Sequence, residues 1–107
     1  MKVSDILEDF DDFMDNKFRD FVKIAWIGDV DGRVLSEIHK IAPESIELPK
    51  RSDDEVALHE MYKRIYLLYM TAMAKLSAGE TQAYSEIFGE FEAALAIYAK
   101  NYIRSRG

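Results

Sequence analysis

At 107 residues without a single cysteine, the chain is long enough for one hydrophobic core, and it can form no disulfide framework, thiolate metal site or cysteine nucleophile. About half of the residues are hydrophobic and a third charged, a globular rather than a disordered composition. The net charge of −6 opposes direct binding to a polyanion, so nucleic acid is not expected as a direct ligand. The acid-rich opening, MKVSDILEDFDDFMDNKF, lacks the continuous apolar run of a signal or transit peptide, so a cytoplasmic location is expected.

From residue 3, Val3, Ile6, Leu7, Phe10, Phe13, Met14, Phe18, Phe21 and Ala25 recur at spacings of three and four. This predicts a first helix from about residue 4 to the low twenties, with Ser4 as its N-cap and Asp5 and Glu8 at the positive end of the dipole. The next stretch, VKIAWIGDVDGRVLSEI, admits two readings. Either it is a β-hairpin turning at Asp-x-Asp-Gly with Gly32 at positive φ, or the first helix runs to about Trp26, the chain turns at Gly28 to Gly32, and a short helix follows with Val34, Leu35, Ile38 and Ile41 inward. Pro43 would end that helix. Two threonines and five valines against seven glycines and prolines are poor material for a sheet and favour helices. Residues 43 to 53 read as a loop.

Ser52 and Glu55 have the S-x-x-E spacing of a capping box, which predicts a helix running from there towards Gly79. One stripe of it holds Leu58, Met61, Tyr62, Ile65, Leu68, Tyr69, Ala72, Met73 and Leu76, while Tyr66, Leu67 and Met70 cover much of the opposite side. The apolar girdle between Ile65 and Ala74 is about half the length needed to cross a bilayer, so no membrane span is expected. Such a helix is either central in the fold or buried by another subunit. Tyr62, Tyr66, Tyr69, Met70 and Met73 are the candidate interface residues, since tyrosine and methionine are enriched in interface cores. Gly79 is the expected stop, Thr81 the next cap, and residues 81 to 104 the last helix, with strands as the less consistent alternative.

No catalytic constellation, metal site or cofactor motif emerges from the sequence. An EF-hand register on Asp29 and Asp31 aligns Gly32 and Val34 but puts isoleucines at both the first and twelfth positions. His39 and His59 lack a second ligand at helical spacing, and the acids Asp53, Asp54 and Glu55 before His59 suit a helix N-terminus. Ser36 has no glycine-rich elbow around it.

The segment VKIAWIGDVDGRVLSEI, with a helix before it and a long one after, resembles the opening of roadblock/LC7 domains. That resemblance implies an α+β fold with strands at residues 22 to 38 and a homodimer regulating a Ras-like GTPase. The last segment departs from that family by reading as a helix. GEFEAALAIYAKNY is similar to one helix of a tetratricopeptide repeat, without a second copy.

The expected fold is therefore all-α: a single-domain helical bundle of three long helices plus a short helix or β-hairpin at about 22 to 42, with the roadblock-like α+β fold as the alternative. The expected function is a small non-catalytic cytoplasmic interaction or assembly subunit that buries an apolar helical face against itself or a partner protein. A roadblock-like GTPase regulator is the alternative, and a metal-dependent enzyme using Asp29, Asp31 or the Asp53 to His59 cluster is the second.

Overall fold

Four α-helices account for most of the chain in a computed structural model, which describes residues 1–106. Helix α1 spans Val3–Phe13, α2 Asp20–Arg33, α3 Lys63–Ser77 and α4 Thr81–Arg106. The all-α bundle expected from composition is what forms, and among the described residues there is no strand, only an isolated bridge between Lys2 and Glu55.

The first helix is shorter than its apolar repeat predicts. Asn16 breaks it: its side-chain amide donates to Asp11 and to the Met14 carbonyl, and its Oδ1 accepts the Phe18 N–H at 3.2 Å. That local ring is the way asparagine competes with a helix. The chain restarts as α2, and the two helices are clamped where the buried Lys23 ammonium lies 2.9 Å from Asp11. Burial alone would raise the Asp11 pKa, but its bonds from Asn16 and Lys23 together hold it below the usual aspartate value.

The Asp-x-Asp-Gly segment is neither a hairpin turn nor a helix break. It lies inside α2, so both the turn at Gly28 to Gly32 and the strands implied by the roadblock resemblance are corrected. Ile27, Val30 and Val34 sit at helical spacing and are all wholly buried. A strand would send neighbouring side chains to opposite faces and split this set. Gly28 and Gly32 supply room rather than positive φ, because Leu48 of the returning chain lies against both, 3.9 Å from where each Cβ would stand. Helix α2 continues into a π-helical turn over Val34–Ile38. It stops at Lys40, whose φ of 59° lets the Ile41 N–H reach the Leu35 carbonyl at 2.9 Å.

Residues 41 to 59 form a strap across α2. The Ser52/Glu55 capping box does not form there. Instead the Asp54 carboxylate accepts the N–H groups of Lys50 and Arg51. The carbonyls of Asp54 and Ser52 accept the free N–H groups of Val3 and Ser4 at the start of α1. Helix α3 consequently begins later, after a 3-10 turn over Glu60–Tyr62 capped by His59, whose Nδ1 accepts the Met61 N–H. Its other end is as expected: Gly79 adopts φ 76°, and the Gly79 and Glu80 N–H groups close on Leu76 and Lys75 in a Schellman arrangement. Helix α4 follows at once and packs antiparallel on α3 along its length.

Helix α3 is central, touching α1, α2 and α4. A single core joins Ile6 and Phe10 of α1, Ile27 and Val30 of α2, Ile65, Tyr66 and Met70 of α3, and Phe91 and Leu95 of α4.

Candidate interaction surface

The apolar girdle of α3 divides between two environments. On one side Tyr66 and Met70 are 0 % exposed. Tyr66 is fixed by polar bonds as well as packing: its hydroxyl donates to Asp31 of α2 at 2.5 Å and accepts the Leu58 N–H at 3.1 Å. The second Asp31 oxygen accepts the Ala57 N–H at 3.0 Å. Desolvation raises the Asp31 pKa against the opposing effect of these bonds, and burial followed by the Asp31 charge raises that of the Tyr66 hydroxyl. Three elements are thus pinned at one point, and no buried side-chain polar atom among the described residues lacks a partner.

These positions correct the interface reading of the sequence in one respect. Tyr66 and Met70 lie inside the monomer and offer no surface to a partner. Tyr62, Tyr69 and Met73 are half-buried: Tyr62 packs edge-on against Tyr98, and Tyr69 packs against Phe91 while its hydroxyl donates to Asp29 at 2.9 Å. Tyr62, Tyr66, Tyr69 and Met70 are therefore part of the core or packed against it, and Met73 is half-buried.

The opposite side of α3 is covered only in part, with Leu67 and Leu68 half-buried against the core and Thr71 buried. Leu67, Leu68 and Thr71 floor a cleft of about 510 Å³ walled by Phe13 at the end of α1 and by Ile87 of α4. Phe13 is 61 % exposed, an uncommon state for so large an apolar side chain. Asp9, Asp12, Arg64 and Glu90 rim the cleft. Two of the acids carry counter-charges, Asp9 from Lys63 at 2.9 Å and Glu90 from Arg64 at 3.8 Å, whereas Asp12 makes no ion pair among the described residues. An apolar floor inside an acidic rim is chemically suited to an amphipathic segment with basic flanks.

The signal for this cleft was present in the sequence as the second half of the all-apolar α3, but deciding which half faces outward required the positions of α1 and α4. Phe13 in particular reads as core by spacing.

The other residues marked in the sequence do not converge. Asp29 and Asp31 point to different tyrosines, and His59 caps its own turn. His39 stacks on Tyr102 with ring centres 4.2 Å apart, its Nε2 2.6 Å from the Tyr98 hydroxyl. Burial, and then the nearby Arg106 charge, hold the His39 pKa below its ordinary value. Its contacts attach the π-turn to α4. Among the described residues no group of three or more metal-ligating side chains is gathered at one place, and no helix is long and apolar enough to cross a membrane. No known family model, curated protein or solved structure matches this chain.

Proposed function

We propose that this protein is a non-catalytic interaction subunit whose docking surface is the cleft over α3, and that the cleft accepts an amphipathic protein helix with basic flanks. The observation that carries this reading is the exposed Phe13 beside the half-buried Leu67, Leu68 and Ile87, inside a rim of three acids and one arginine. Such a surface gains by covering its apolar floor, while the rim selects the charge of the occupant. A non-catalytic role is supported by the engagement of the candidate polar groups in the fold itself: Asp31 ties α2 to α3, His39 ties the π-turn to α4, and His59 caps the turn before α3.

The test is a titration with a synthetic amphipathic helix of leucine and lysine, followed by amide and methyl NMR shifts. The expected result is shifts confined to Phe13, Leu67, Leu68, Thr71 and Ile87, abolished in Leu68→Glu and weakened by salt. Absence of shifts in the cleft of the monomeric protein, or shifts centred elsewhere, would overturn the reading.

A further inference from the structure

Helix α4 is the longest element, 26 residues or about 39 Å at 1.5 Å per residue, and it packs on the core through Phe91, Leu95 and Tyr98. A different stripe of it is covered only in part: Ile87 and Ala94 are half-buried, while Glu90, Ile97, Asn101 and Arg104 are exposed. Ile87, Glu90, Ala94, Ile97, Asn101 and Arg104 follow one another at steps of three and four, which places them in one stripe. Ile97, in the middle of that stripe, is 61 % exposed.

The charges on this helix are segregated along its length. Glu86, Glu90 and Glu92 occupy the first half, while Lys100, Arg104 and Arg106 occupy the last two turns. Among the described residues Glu86, Lys100 and Arg104 make no ion pair. A helix that is acidic at one end and basic at the other is complementary to itself when two copies run antiparallel. The spacing of the stripe is also the same read in either direction. A two-fold axis between residues 95 and 96 sets Ala94 against Ile97 of the other copy, Glu90 against Asn101, and Ile87 against Arg104. The apolar cleft lies beside the acidic half, sharing Ile87 and Glu90 with the stripe, and that is where the basic turns of the other copy would lie.

We infer that the occupant of the cleft is a second copy of this chain: two α4 helices pair antiparallel about a two-fold axis, and the last two turns of each cover the acidic, apolar cleft of the other. This deepens the docking reading above and rests on it. The contact is isologous, so it closes at two copies.

Light scattering across a dilution series provides the test, with charge-reversed variants at exposed positions. The unaltered protein is expected to have twice the chain mass. Lys100→Glu with Arg104→Glu makes both halves acidic, and Glu86→Lys with Glu90→Lys makes both halves basic, so each variant alone should be a monomer of unchanged helical content. Mixing the two should restore the double mass, because each acidic half then lies along a basic one, and Ile97→Glu should dissociate the protein without such rescue. A dimer that survives both reversals would overturn the inference. So would a monomer at every concentration, and the leucine–lysine helix then separates the two readings. A monomer that still binds it in the cleft overturns only the self-pairing, whereas one that binds nothing overturns the docking reading too.

Discussion

The two sides of α3 are almost equally apolar, yet they do different work. The side holding Tyr66 and Met70 is closed by α2, the strap and α4, and it is fixed in register by Asp31. The side holding Leu67 and Leu68 faces a cleft that α1 reaches only with its last turn. Hydrophobicity therefore does not distinguish the closed side from the cleft side on this helix. The difference lies in the neighbours, and most sharply in a buried carboxylate that would be costly anywhere but beside its two donors.

The largest effect separating the two sides should come from truncating one apolar residue on each. Met70→Ala is expected to lower unfolding free energy by about 2–5 kcal/mol, as for other fully buried methionines, whereas Leu68→Ala should cost about 1 kcal/mol or less. Urea denaturation of both variants measures this directly. Equal losses would mean that the cleft is as much core as the opposite side, and the comparison would fail.

The polar anchor is the next point at which to break it. Asp31→Ala leaves the Ala57 N–H and the Tyr66 hydroxyl without their acceptor in a buried setting, and the expected cost is about 2–4 kcal/mol. Hydrogen exchange should locate part of that loss at residues 56 to 58. A change spread evenly over the molecule would show that Asp31 is not what holds the strap.

The same anchor predicts a response to alkali. The folded state keeps the Tyr66 proton more tightly than the unfolded chain does, because burial and the Asp31 charge both oppose the phenolate. Above pH about 10, the ordinary tyrosine value, the unfolded chain loses that proton first, so the stability this group contributes below pH 10 is lost as pH rises. Thermal unfolding between pH 8 and 11.5 should show a falling midpoint, with a shallower fall in Tyr66→Phe. Identical slopes in the two proteins would remove Tyr66 as the cause.

A smaller effect sharpens the comparison by leaving both sides of α3 alone. Lys40 holds a φ of 59° at the end of the π-turn, a conformation natural to glycine, so Lys40→Gly should be neutral or stabilising by up to about 1 kcal/mol. A clear destabilisation would show that the lysine side chain itself holds the π-turn against α4.

Helical content, the sharp stop at Gly79 and the continuous α4 were all legible in the sequence. Each depends on interactions within a few residues: apolar spacing, a left-handed glycine, and the run of good helix formers from Ala93 to Ala99. Local signals misled where a distant partner competed for the same groups. The Ser52/Glu55 box gave way because the carbonyls of Ser52 and Asp54 cap α1 some fifty residues away in sequence, and the Asp-x-Asp-Gly turn gave way because Asp31 finds Tyr66 and Ala57 in the interior. Asn16 is the opposite case, a local signal that prevails: its side-chain bonds end α1 although the repeat of phenylalanines continues past it.

By itself, then, the sequence determined that this chain is a helical bundle with an excess of apolar surface on α3, because periodicity and composition act within each helix. Only the tertiary structure decided which half of that surface is core. That choice depends on where α1 ends and where Asp31 is satisfied, and both are settled by contacts between residues far apart in the chain.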